Sequence, residues 1–226
     1  MKLPTFRSNE GETKDSLPEL VAASIRQAIF EGSLGSGVQL KQNDVAASLG
    51  VSAVPVREAL KRLTAEGLLH NERNKGVVVA PLSIEDFVEI TDLRLMLEPY
   101  LVRCSAPNLT EADLDAADRI LAATHNDSNI ASHAREHWEF HRLLYSKARR
   151  PRAIAQIDVL YVSINRYLLP AWKSAGLSDH WDDSHLQITR AIRLGDVDAA
   201  AGLISSQIKD AAARVMSFFE RGTPIN

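Results

Sequence analysis

One cysteine, Cys104, occurs in 226 residues, so no disulfide can form within the chain. That fits a reducing compartment, and the cytoplasm is the expectation. Aromatic residues are scarce at 6%, which leaves aliphatic side chains to build the core. No run of eighteen apolar residues is present, so no membrane-spanning helix is expected. The segment from Met1 to Glu12 mixes charges with Pro4 and Gly11 where a secretion signal would need an apolar stretch. What is present is ordinary for a folded soluble protein: 45% apolar and 24% charged residues. The length suits two modest domains.

An excess of positive charge is also missing, since the formal net charge is −3. Its distribution matters more than its total. Residues 1–80 carry 10 Lys/Arg and 9 Asp/Glu, whereas residues 81–226 carry 16 and 20. The local basic excess lies between Ser52 and Arg62, where Arg57, Lys61 and Arg62 face Glu58 alone. Any nucleic-acid function therefore points to the first third of the chain.

Ser16-Leu17-Pro18-Glu19 reads as a capping box with proline in the first turn, opening a helix that Gly32 ends. A short helix follows from Gln42 to Leu49, with Gly50 placed for a left-handed stop. Ser52 is expected to cap a third helix through Val56, Leu60 and Leu63 to Glu66, stopped by Gly67. Helix, short glycine turn, helix is the helix-turn-helix pattern. Leu68–His70 and Val77–Val79 read as two short strands around a polar loop, Asn71–Gly76, forming a hairpin wing. After Pro81 helical periods dominate, and six helices are expected at about 84–105, 111–124, 129–148, 151–169, 179–194 and 197–220. Ser83 and Thr110 stand three before Asp86 and Asp113 as capping boxes, Pro99 should kink its helix, and Gly195 should stop the fifth. The expected fold is mainly α: a winged helix-turn-helix over residues 1–80 and an all-α six-helix bundle over 81–226.

In the third helix Val56, Leu60 and Leu63 hold one face to the core, leaving Ala53, Val54, Arg57, Lys61 and Arg62 towards other faces. Arg57 lies near the start, where a recognition helix meets base edges, and a guanidinium there can bond guanine O6 and N7 together. Lys61 and Arg62 sit further along, in reach of phosphates. Ser52 and the helix-start amides can also hold a phosphate. Arg73, Asn74 and Lys75 beside Gly76 give the wing groups for backbone or minor-groove contact. A solvated basic face is the bland alternative for any one of these residues; the glycine turn, basic helix and basic wing together favour double-stranded DNA.

The run from Gly50 to Leu68 (GVSAVPVREALKRLTAEGL) resembles the signature of GntR-family bacterial transcription regulators, and the flanking elements extend the resemblance over residues 16–80. It implies DNA contact by Arg57 and by the wing around Gly76. Ala53 stands where the family usually has a DNA-contacting arginine, and Asn43 where many members have a basic residue. The resemblance thus puts more weight on Arg57 and the wing.

Residues 83–222 resemble the helical FCD ligand-binding domain of the FadR-type branch, through Leu93-Arg94-Leu95-Met96-Leu97-Glu98, His137-Trp138-Glu139-Phe140-His141, and the segment His185–Ala200. On spacing alone, His133, His137 and His141 share a helix face at successive i, i+4 steps, a known zinc arrangement, though solvated histidines at that spacing need no ligand. The resemblance adds a ligand set. Many such domains hold a divalent metal with one aspartate and three histidines, and the matching positions are His137 for the aspartate, His141, His185, and Gln207 for the last histidine. Nitrogen ligands suit zinc or nickel. Loss of the aspartate leaves a bound cation its full field and favours an anionic effector; without metal, protonated histidines would favour one too. The resemblance places Arg94 facing the cavity, where it would take a carboxylate bidentately; the alternative is a salt bridge to Glu98. A homodimeric, cytoplasmic regulator, a repressor by the family's common mode, whose operator affinity a small organic acid modulates in a direction the residues leave open, is expected. The competing expectation is a metal-dependent enzyme using the histidines with Glu136 or Glu139 as base.

Overall fold

A computed structural model of the chain describes residues 16–124, 130–175 and 180–221. They form two compact units that part between Ser83 and Ile84. The first contains α1 (Leu17–Phe30), α2 (Gln42–Leu49), α3 (Ala53–Ala65), β1 (Leu69–Glu72) and β2 (Gly76–Val79). Val21, Ile25, Val45, Val56, Leu60 and Leu63 are buried together, so the apolar period of each helix faces one small core. Gly50 caps α2 at φ +68° with its N–H bonded to the Ala46 carbonyl. Nothing lies within 4 Å of a Cβ built there, so the backbone angle and not lack of space demands glycine.

The strands pair antiparallel with Leu69 opposite Val79 and Glu72 opposite Gly76. Each is one or two residues off the expected span. The segment before α2 adds to this hairpin: Val79 N–H donates to Val38 O at 3.0 Å and Leu40 N–H to Val77 O at 2.9 Å. The sequence offered no signal for that third line of pairing.

Two expected caps are absent. Ser16 and Ser52 have extended backbones at the N-cap positions but make no side-chain cap bond. Glu19 does not close a capping box; its carboxylate pairs with Arg62 of α3. Arg26 and Arg62 both hold Glu66, the former through 2.9 and 3.2 Å bonds and the latter at 3.0 Å. The charges tie α1 to α3, so tertiary pairing displaced local capping.

The second unit holds α4 (Ile84–Ser105), a 3₁₀ turn (Ala106–Asn108), α5 (Glu111–Thr124), α6 (Ile130–Tyr145), α7 (Pro151–Ala175), α8 (His180–Arg193) and α9 (Val197–Glu220). Leu101, Phe140, Leu144, Ile157, Ile188 and Ile204 meet in its core. Thr110 and Asp113 form the expected capping box, with bonds of 2.9 and 3.2 Å. Arg193 fastens α8 to α5 through Glu111, Asp115 and Asp118 at 2.5, 2.9 and 2.8 Å. The helix expected over 129–148 ends at Tyr145, before Arg149 at φ +53°. The one expected to end at 169 runs through Pro170 to Ala175. Ala171 is buried past the proline, so packing carries the helix beyond its breaker. The expected first residues 129 and 179 lie outside the described residues.

Candidate functional site

On α3 the buried stripe leaves Ser52, Ala53, Val54, Arg57, Glu58 and Lys61 exposed along one surface. The Arg57 side chain is 53% exposed and Lys61 67%. Both touch Glu58 Oε1 at 3.3 Å, and these cations hold the Glu58 carboxyl below the usual carboxylate range. Arg57 is thus presented to solvent with an exchangeable internal counterion. Arg62 is exposed as well, but its guanidinium is engaged with Glu19 and Glu66. The structure therefore gives it a fastening role that sequence spacing did not show. In the wing, Arg73, Asn74, Lys75 and Gly76 are all exposed. Asn74 and Gly76 adopt φ of +69° and +78°, which turns the tip tightly, and Lys75 pairs with Glu72 at 2.7 Å. The Gln39 amide braces the loop by donating to the Lys75 carbonyl.

A duplex carries one negative charge per about 1.7 Å of axis, so Glu58 opposes the approach of this face. Glu58→Gln is expected to tighten binding to any duplex several-fold, with a steeper dependence on salt. Unchanged affinity in a fluorescence-anisotropy titration at 50 and 200 mM salt would show that Glu58 is already displaced.

In the second unit, α6 supplies His137 and His141, α8 supplies His185, and α9 supplies Gln207. The three histidines are 8%, 3% and 1% exposed, and their ligand atoms all lie within 4.8 Å of one another. His137 Nε2 and His141 Nε2 stand 3.0 Å apart. His133, also buried, is outside this trio. Gln207 donates to Ser184 Oγ at 3.2 Å, while its amide oxygen is buried with no hydrogen-bond partner among the described residues. Burial, then the neighbouring histidines and the Arg94 charge, hold His137 and His141 well below the ordinary imidazole value. Both are neutral at pH 7, the form that binds metal.

The fit is good. Zinc–nitrogen bonds of about 2.0–2.1 Å in a tetrahedron set neighbouring nitrogens about 3.3 Å apart, so the rings need to shift only by tenths of an ångström to ångströms. Gln207 lines the same cavity, and its buried amide oxygen would be available as a fourth donor.

Arg94 of α4 is 5% exposed. Its Nε donates to Glu98 Oε1 at 2.6 Å, so the expected alternative, a salt bridge four residues on, is present. Among the described residues that is its one hydrogen bond, and its guanidinium lies 5.1 Å over the Tyr161 ring. Burial opposes its charge, but Glu98, together with Tyr161 and Tyr145, offsets this and raises its basicity. Arg94 also lines a cavity of about 300 Å³ with His137, His141, His185, Trp172 and Gln207. The ion pair and the cavity position hold together, because only Nε is used. Neither Glu136 nor Glu139 is among the cavity's lining residues.

A winged helix-turn-helix head with a solvent-facing basic helix, followed by a helical unit with a cavity lined by Arg94 and three histidines, defines a DNA-binding regulator. The FCD domain model matches residues 89–210, and that of bacterial regulatory proteins of the gntR family matches residues 17–79. A GntR family member of known structure from Pseudomonas syringae is 31% identical, with 90% of this chain and 86% of that one covered and a TM-score of 0.55. The chain belongs to the GntR family of transcriptional regulators and carries an FCD domain. The regulator BphR of Paraburkholderia xenovorans is 25% identical over 215 residues, covering 90% of this chain and 86% of its own. The gluconate operon transcriptional repressor of Bacillus subtilis is 42% identical over 89 residues, 39% of this chain and 36% of the repressor. The structure of Escherichia coli McbR/YncC shares the fold, with a TM-score of 0.76 at 21% identity over 91% of this chain and 99% of that one. Family and relatives are regulators, which sets the enzyme reading aside.

Proposed function

We propose that this regulator is a cytoplasmic, homodimeric repressor whose operator affinity is set by a small organic acid bound in the 81–226 domain. The observation that carries the reading is the placement of the Arg94 guanidinium and three buried imidazoles in one cavity wall. Arg94 would take the carboxylate through its terminal nitrogens. His137, His141, His185 and Gln207 would hold zinc or nickel, which supplies a positive centre for the same anion. In the 1–80 domain, Arg57 and Val54 read base edges, while Ser52, Lys61 and the wing residues Arg73, Asn74, Lys75 and Gly76 hold phosphates or the minor groove; Arg62 reaches a phosphate only with the part of its guanidinium not held by Glu19 and Glu66.

Support for a second copy comes from α4. Ile84, Val88, Leu93, Met96 and Tyr100 are exposed along this helix, an apolar stripe unusual for a lone surface. Two heads would then read two half-sites. An acid alters operator affinity only by the difference in its affinity for the two arrangements of the dimer.

The test is fluorescence anisotropy on a fragment from the protein's own upstream region, with a panel of organic acids, after elemental analysis of the purified protein. Tight, salt-dependent binding weakened by one class of acid supports the reading. Binding indifferent to every acid, with Arg94→Ala behaving as the parent, overturns the effector part.

A further inference from the structure

Glu98 is wholly buried and uses both carboxylate oxygens. Oε1 accepts from Arg94 Nε and Oε2 from the Tyr145 hydroxyl, each at 2.6 Å. An ion-paired carboxylate only accepts, so Tyr145 has spent its one proton on Glu98. The Tyr145 oxygen lies 3.2 Å from His141 Nδ1 and can only accept from it. His141 therefore carries its proton on Nδ1, and its Nε2 lone pair faces the cluster.

We propose that Glu98 is a positioning residue that, through Tyr145, presets His141 as a metal ligand while holding Arg94 in the cavity wall. One carboxylate thereby orients both the metal ligand and the effector anchor. This rests on the metal reading of the histidine cluster.

His137 is set differently. Its Nε2 faces the His141 lone pair at 3.0 Å, so in the metal-free protein that nitrogen carries the proton. Its Nδ1 then accepts from the Tyr161 hydroxyl. For Nε2 of His137 to become a ligand atom, the proton moves to Nδ1 and the Tyr161 hydroxyl turns from donor to acceptor. His141 needs no such change. Outer partners that fix a ligand's tautomer are worth about 10- to 100-fold in metal affinity.

The two variants are expected to differ for a chemical reason. In Glu98→Gln the amide oxygen must face Arg94, which only donates, so the amide NH₂ faces Tyr145. The Tyr145 proton is then turned onto His141 Nδ1, and His141 is driven to the opposite tautomer. Tyr145→Phe removes the acceptor without imposing the wrong tautomer.

The experiment is long-range ¹H–¹⁵N NMR of metal-free protein labelled in histidine, together with zinc affinity by chelator competition and a thermal melt of each protein. The parent should show His141 with its proton on Nδ1. Glu98→Gln should invert that tautomer and weaken zinc by about 100-fold, and Tyr145→Phe by about 10-fold. A merely structural role would lower both melting points and leave the tautomer alone. A parent His141 protonated on Nε2, or zinc affinity equal in all three proteins, overturns the proposal. If Glu98→Gln does not fold, the parent tautomer and Tyr145→Phe decide it. If the parent takes up no zinc, the metal reading fails, and the tautomers still decide the relay.

Discussion

An Arg57→Ala protein is expected to bind its operator more weakly by about 1–3 kcal/mol, roughly 5- to 150-fold, and to lose discrimination at one base position. The reason is geometric. Arg57 lies on the exposed face of α3, away from the buried Val56, Leu60 and Leu63, and among the described residues its one competing partner is the solvent-exposed Glu58. Lys61→Ala should behave otherwise. It should weaken operator and scrambled duplex alike and make the logarithmic salt slope shallower by about 0.9, the signature of one lost phosphate contact. Arg62→Ala should lower the melting temperature as well, because Arg62 joins Glu19 to Glu66. Anisotropy titrations of both duplexes at four salt concentrations, with a thermal melt of each protein, separate the three. An Arg57→Ala protein with parental affinity and base preference would remove α3 from the reading surface.

Zinc should raise the stability of the second unit, and His141→Ala should abolish the rise. At a free concentration 1,000 times Kd, binding to the folded state alone contributes about 4 kcal/mol. At roughly 2–4 °C per kcal/mol for a chain of this size, the melting point moves by about 8–16 °C. Because His141 is 3% exposed, its removal also costs packing. The quantity to compare is therefore the zinc-induced shift within each protein. The metal-free protein should also be acid-sensitive. His137 and His141 titrate well below their ordinary value when folded, chiefly through burial. Unfolded, each takes its proton near pH 6.5, so below that the unfolded state binds more protons and stability falls with pH, by up to about 1.4 kcal/mol per unit for each histidine. Above about pH 6.5 this contribution is complete. Melts in chelator from pH 7.5 to 5.5 check the sign; a flat profile would mean the rings are not buried as neutral groups.

Much of this was legible in the residues. Among the described residues, apolar periods, capping residues and glycine stops located each of the nine helices, though two ended elsewhere than expected, because those signals are local: Gly50 at φ +68° is the stop its position implied. The histidines of α6 were found by i, i+4 spacing, while His185 and Gln207, on α8 and α9, came only from the family resemblance. What stayed hidden was long-range. Glu19 looked like half of a capping box until α3 brought Arg62 beside it. The helix expected to end at 169 runs on to Ala175 because the burial of Ala171 is a property of the bundle. Glu98 drew notice only as a salt-bridge partner, since Tyr145 lies 47 residues away.

The ring contacts around the histidines have a practical consequence. Trp138 stacks on Tyr161 with centroids 4.0 Å apart, and Trp172 meets the edge of His137 at 6.0 Å. Two of the chain's three tryptophans are thus in or one ring removed from contact with the cluster. Intrinsic ultraviolet emission should change when a cation enters, so the protein carries its own dye for following occupancy in real time.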